Sequence, residues 1–320
     1  MSEARRYRRL PRSNFDGNNP LYLRNSLARV AAPKGFVQMR HRREIFSVLI
    51  GGSIALGCLL VATHAPVRAA AEANAVPCAT PADLVHLDLP LTRTARQLAA
   101  RKLALIVALG SSSTAGVGAS SPEAAYPNRL MVDLAHRFPT QPIMVLNRGV
   151  GGERATDMLA RFDDDVAAEH PDLVLWQVGT NAVLTGFQHA KSDSVIRDGI
   201  SRIKAIGADV VLIDPQYAPK VISQPEIKDM IDLISSAAAQ EKVDVFHRFA
   251  LMRHWHERQG IPFQTFLSPD GLHMNDWGHS CFAKGLAEAI AAAAAPNPPS
   301  GNESSRLDGS AAEATTGEAH

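Results

Sequence analysis

The sequence predicts an α/β protein, a three-layer α/β/α sandwich in which helices cover both faces of a parallel sheet. Three observations carry this. Between about residues 78 and 295, short apolar runs alternate with segments whose apolar residues recur at helical spacing. Strands buried on both faces read as unbroken apolar runs, so the runs fit the interior of a parallel sheet. The polar, glycine-rich stretches fall directly after the runs, at the strand ends where such sheets bind ligands.

Each element follows in order. LALIVALG (103–110) is a short buried strand, and YPNRLMVDLAHRF (126–138) carries a helical apolar stripe. PIMVLNRGV (142–150) is a second strand, followed by a helix over ATDMLARFDDDVAAEH (155–170). DLVLWQVGT (172–180) is a third strand; SVIRDGISRIKAIG (194–207) is a helix closed by a glycine, where a left-handed cap is expected. ADVVLIDPQ (208–216) is a fourth strand, KDMIDLISSAAAQEK (228–242) a helix and VDVFHR (243–248) a fifth strand. An Ala-rich helix over 280–295 closes the domain.

The remaining segments read differently. Residues 1–44 are basic, and Ile45–Ala62 carries no charge. Basic flank, apolar run and the small-x-small sequence Ala73-Asn74-Ala75 have the layout of a secretory signal, with Met39 as a natural start. Residues 45–75 are therefore expected to be a signal peptide cleaved near Ala75, or else a retained anchor contacting the inner membrane through 45–62. Either places the 78–295 domain outside the cytoplasm, periplasmic or secreted. Residues 296–320 contain almost no large apolar side chain and are expected to be a disordered tail. Of three cysteines, Cys58 lies in the apolar run, which leaves Cys78 and Cys281. In an exported protein that pair suggests a disulfide, with two buried free thiols as the alternative. The net charge of +1 gives no reason to expect nucleic acid. Oligomeric state is not legible.

The strand-end segments hold the parts of a serine hydrolase: nucleophile, base, orienting acid and oxyanion donors. GSSST follows the first strand, and Ser112 is the candidate nucleophile, with Ser111 and Ser113 as alternatives. His273 is the candidate base and Asp270, three residues earlier, would orient it, as side chains at i and i+3 of a helical turn do. His279 has no such acid before it. The oxyanion donors would be the Ser112 N–H, the Gly152 N–H (or that of Gly151) and the Asn181 side-chain amide. His254 and His256 are two residues apart and do not share a helix face, and Asp163–Asp165 reads as a solvated face. No Cys/His cluster has zinc spacing. No cofactor or metal is expected.

Taken in order, GSSSTAG (110–116), NRGVGGE (147–153), GTN (179–181) and DGLH (270–273) resemble the four blocks of the SGNH hydrolases, also called GDSL esterases/lipases. The resemblance covers roughly residues 100–295. It selects Ser112 through Gly110 and the Thr114-x-Gly116 pattern, and Gly152 through its spacing from Asn147. It departs from the family pattern at two places: Ser111 stands where an Asp is usual, and Ala182 follows Asn181 in place of an Asp. The family implies a flavodoxin-like α/β/α fold, no cofactor, and hydrolysis of acyl esters. An exported carboxylester hydrolase is therefore expected, acting on acyl or acetyl esters of envelope lipid or carbohydrate. The same site would be an acyltransferase if a sugar hydroxyl replaced water. A non-catalytic carbohydrate- or envelope-binding module on a degenerate fold is the reading from another class. Tyr126, Gln177, Tyr217 and Trp277 are candidates to line the substrate pocket.

Overall fold

The computed structural model describes residues 76–295. The basic segment 1–44, the signal or anchor segment 45–75 with its Cys58, and the tail 296–320 lie outside the described residues. No helix among the described residues is long and apolar enough to cross a membrane.

Five strands form one parallel sheet: β1 (Ala104–Gly110), β2 (Ile143–Gly149), β3 (Leu173–Gln177), β4 (Asp209–Ile213) and β5 (Asp244–Phe246). Their spatial order is β2-β1-β3-β4-β5. The chain thus reverses its winding between β1 and β3, the switch point beside which such sheets open a crevice. The helices that concern the site and the two outer layers are, in chain order, α1 (Thr92–Ala99), α2 (Ser112–Ala115), α3 (Tyr126–Arg137), α4 (Ala155–Ala160), α5 (Phe162–Asp165), α6 (Thr180–Thr185), α7 (His189–Ala205), α8 (Ile227–Glu241) and α9 (Asp276–Ala293).

Successive strand residues point to opposite faces, and both faces are apolar. Ile106, Ala108, Leu175, Val211 and Phe246 pack with Leu130 and Leu134 of α3 and with Phe282, Leu286 and Ile290 of α9. Val107, Leu109, Trp176 and Leu212 pack with Ile196, Ile200 and Ile203 of α7 and with Met230, Leu233 and Ile234 of α8. Each of these strand side chains is almost wholly removed from water, which at about 25 cal/mol per Å² is the main source of stability.

The amino ends of three strands are closed by carboxylates. Asp244 accepts from the backbone N–H groups of Asp88 and Leu89 (3.0 and 2.9 Å). Asp209 accepts from Arg93 N, Thr94 N and Thr94 Oγ1. Asp172 accepts from Arg93 Nε, Gln97 Nε2 and Leu105 N. The segment leading through α1 is thereby laid across that edge. Cys78 is joined to Cys281 of α9 by a disulfide, with Cα atoms 5.5 Å apart. Beside it Trp277 Nε1 donates to Val76 O and Trp255 Nε1 to Ala79 O.

One predicted element differs. The single helix expected over 155–170 is broken at Arg161 into α4 and α5, then a short 3₁₀ turn ends at His170 in the left-handed region. The break turns the Arg161 guanidinium back onto the ends of β1 and β2, where it donates to Gly110 O and Arg148 O.

Candidate active site

β1 and β2 both end in glycine, and the two pair in register. A Cβ on Gly110 would stand 2.1 Å from Thr114 Oγ1, and one on Gly149 would stand 2.1 Å from Ala115 N. Lacking both, the strand ends let the one-turn helix α2 sit directly on the sheet. α2 carries the run of hydroxyls, and their surroundings separate them. Ser111, Ser113 and Thr114 are buried. The Ser111 N–H and hydroxyl both donate to Gln177 Oε1, at 3.0 and 2.8 Å. Thr114 Oγ1 lies 3.1 Å from Tyr126 OH. Ser112 alone of the four is partly open to solvent.

Ser112 Oγ is 2.8 Å from His273 Nε2. His273 Nδ1 is 2.5 Å from Asp270 Oδ2, while Asp270 Oδ1 accepts from the backbone N–H groups of Leu272 and His273 (2.9 and 3.0 Å). Burial pushes the Asp270 carboxyl up, but the imidazole and the two N–H groups outweigh it, and the net effect holds it below the usual carboxylate range. Beside an ionised Asp270 the Nδ1 position carries the proton, and Nε2 offers its lone pair to the serine hydroxyl. The Asp-His segment is not the helical turn expected: it is an irregular turn with Gly271 at φ 65°, and the carboxylate reaches both backbone and ring because the chain folds back on itself there.

The second block forms a tight turn in which Val150 O faces Glu153 N at 3.5 Å. Gly152 is its third residue, at φ 80°, the position where such a turn requires a positive φ and so favours glycine. A Cβ on Gly151 would lie 4.0 Å from Ser112 Cβ, so the turn stands next to the serine. Asn181, in the first turn of α6, donates through Nδ2 to Glu153 O at 2.8 Å, which leaves its second N–H uncommitted. Among the described residues, neither Ser112 N nor Gly152 N has an acceptor. The structure thus brings Ser112, His273, Asp270, Gly152 and Asn181 to the carboxyl end of the sheet, on loops after β1, β2 and β3 and before α9.

The other candidates make other contacts. His279 is buried; its Nδ1 accepts from Tyr126 N at 3.2 Å, and burial pushes its pKa down to about 4. Tyr126 is core, packed edge-on against Phe282, with its pKa pushed up to about 12 by burial. Tyr217 stacks with Phe263 and donates to Glu257, and Trp277 packs on Trp255. His256 stacks on Phe263 and contacts Ile261 O. Asp163 and Asp164 are exposed, while Asp165 pairs with Arg161. Among the described residues no group of His, Cys, Asp and Glu could hold a metal ion.

Sequence reasoning missed the residues that hold the blocks together. Gln216, buried beyond β4, accepts from Thr180 Oγ1 and Arg248 Nη2 (both 2.9 Å) and donates to Leu272 O at 3.3 Å. It therefore links the block bearing Asn181 to the block bearing His273. The available signal was an uncharged polar residue three positions past a buried strand.

A buried doubly wound sheet, a serine bonded to a histidine bonded to an aspartate, and free backbone donors beside the serine define an ester hydrolase of the SGNH class. The chain belongs to the non-GDSL lipase-like family, whose model matches residues 77–296. It is 32% identical over 208 residues to an arylesterase of Vibrio mimicus, covering 65% of this chain and 96% of that protein. It is 27% identical over 189 residues to esterase TesA of Pseudomonas aeruginosa (58% and 85%). An acetylxylan esterase of Geobacillus stearothermophilus is 23% identical over 165 residues (48% and 74%). Among solved structures, a two-domain esterase active on acetylated mannans superposes with a TM-score of 0.56 at 18% identity, over 67% of this chain and 56% of that one. TesA superposes with a TM-score of 0.51 at 22% identity, over 59% and 99%. Both share the fold.

Proposed function

We propose that the protein is an exported carboxylester hydrolase that cleaves acyl or acetyl esters of envelope lipid or carbohydrate with Ser112 as nucleophile. The observation that carries this is the relay Ser112 Oγ–His273 Nε2 (2.8 Å) and His273 Nδ1–Asp270 Oδ2 (2.5 Å). His273 takes the serine proton as Oγ attacks the ester carbonyl, and Asp270 stabilises the imidazolium. The tetrahedral oxyanion is held by Ser112 N–H, Gly152 N–H and the free N–H of Asn181. His273 then protonates the departing alcohol, and water repeats the sequence on the acyl-enzyme to release the acid. Relatives named for acetylated polysaccharides support the acetyl-carbohydrate side of this reading. The Cys78–Cys281 bridge supports an oxidising compartment.

The test is covalent labelling with a fluorophosphonate, mapped by mass spectrometry, beside a panel of acetyl and long-chain esters. An adduct on Ser112 that is absent from Ser112→Ala, with loss of ester cleavage in that variant, is the expected result. Ester cleavage that survives Ser112→Ala would sink the assignment. Fractionation of cells with and without a carbonate wash tests export and separates a released protein from an anchored one.

A further inference from the structure

We propose that Arg161 is a positioning residue that sets the oxyanion-binding corner through Glu153; the inference rests on the reading above. Arg161 sits at the break between α4 and α5, with its side chain 17% exposed. Its Nε donates to both Glu153 carboxylate oxygens (3.1 and 2.8 Å), and Nη2 lies 2.7 Å from Oε2. Nη2 also donates to Arg148 O at 2.8 Å and Gly110 O at 3.3 Å, and Nη1 to Asp165 Oδ2 at 2.6 Å. One planar group therefore touches the last residue of β1, just before the segment bearing the serine, the end of β2, and the side chain of Glu153.

Glu153 is where the consequence lies. It follows Gly152 directly, so anchoring its carboxylate fixes the turn that aims the Gly152 N–H. Its own carbonyl accepts one N–H of Asn181 at 2.8 Å, which fixes how the other is aimed. Two of the three proposed donors thus depend on one carboxylate, and Arg161 holds that carboxylate against the strand that delivers the third. Arg161 touches none of Ser112, His273 or Asp270, so its effect falls on oxyanion geometry and not on proton transfer. A lysine would keep the charge but offers a single ammonium, which does not span a carboxylate and two carbonyls in one plane.

The experiment compares Arg161→Lys, Glu153→Gln and the double variant with the unaltered full chain. It reads kcat and KM for a p-nitrophenyl ester, inhibition by phenylboronic acid, which forms a tetrahedral adduct on a reactive serine, the pH profile and the melting temperature. Removing an oxyanion donor outright costs about 10²–10³ in kcat. Misplacing one through Arg161 is expected to lower kcat about tenfold to hundredfold with KM within about twofold. Boronate affinity should fall by the same factor, and the acid limb of the pH profile should stay in place. The double variant should be no worse than the worse single one, because both cut one contact. Folded variants with unchanged kcat and boronate affinity, a loss confined to KM, a displaced acid limb, or additive losses would each overturn the proposal. Should Arg161→Lys fail to fold, Glu153→Gln carries the same test. Loss of activity in Ser112→Ala beside an unaffected Arg161→Lys overturns this inference alone; activity retained in Ser112→Ala overturns the nucleophile assignment instead.

Discussion

Ser111 gives both its backbone N–H and its hydroxyl to one atom, Gln177 Oε1, at 3.0 and 2.8 Å in a buried site. The position that is usually an Asp in SGNH hydrolases is here a donor facing an amide oxygen. Ser111→Ala keeps the N–H bond and is expected to cost about 1 kcal/mol. Ser111→Asp sets a carboxylate against Oε1; the amide must turn over, and the N–H at position 111 then loses its acceptor. An expected loss of about 2–3 kcal/mol, read from urea unfolding, follows from a buried donor left unpaired. If the aspartate variant is as stable as the unaltered protein, the direction of this pair is wrong.

Gly118 sits behind His273 at φ 95°. A Cβ there would meet Met274 O at 2.2 Å, Ser268 Oγ at 2.6 Å and His273 Cβ at 3.1 Å. Gly118→Ala must move either its own loop or the segment carrying the histidine. The expected result is a kcat at least about tenfold lower, since displacements of about 1 Å near the chemistry cost up to 10²-fold. Steady-state kinetics on the folded variant decide it; unchanged kcat would mean that the loop yields instead.

The bridge between Cys78 and Cys281 closes a loop of 203 residues. Reduction, or Cys78→Ser, is expected to lower stability by about 2–5 kcal/mol while leaving kcat at 25 °C unchanged, because neither cysteine contacts the serine, histidine or aspartate. Thermal unfolding with and without dithiothreitol reads the first effect and an ester assay the second. A melting temperature indifferent to dithiothreitol would show that the bridge contributes nothing.

His279 gives a pH dependence of stability whose sign is fixed. Its ordinary value is 6.5, and burial holds it at about 4 in the folded protein. Between those values the unfolded chain binds a proton that the folded chain refuses, so stability falls as the pH drops from about 6.5 to about 4. The full difference is about 3 kcal/mol. Denaturant midpoints across that range should show the slope, and His279→Gln should flatten it; an equal slope in both proteins would assign the effect to other groups.

How much of this was legible in the sequence depends on which atoms carry each feature. The strands were, because Val107–Leu109 and Val174–Trp176 are apolar on both faces. So was the convergence of Ser112, Gly152, Asn181, Asp270 and His273, because all five fall in polar, glycine-rich segments between the apolar runs, where such sheets open their crevice. Arg161 was not, since two of its partners are the carbonyls of Gly110 and Arg148, and a carbonyl has no sequence signature. The break in 155–170 escaped for the same reason. Asp172, Asp209 and Asp244 read as ordinary polar residues at strand starts; that they grip Asp88–Gln97 depends on a fold-back more than 70 residues distant.

The carboxylate seam at the amino edge of the sheet sets a division of labour. Asp172, Asp209 and Asp244 spend their charge on holding the chain, at the end of the sheet opposite Ser112. Loops that shape a substrate can therefore vary at one rim while the fastening at the other stays intact. Such a protein is open to retargeting: libraries aimed at new esters belong in the segments after β1, β2 and β3, whereas changes meant to toughen it belong along the seam.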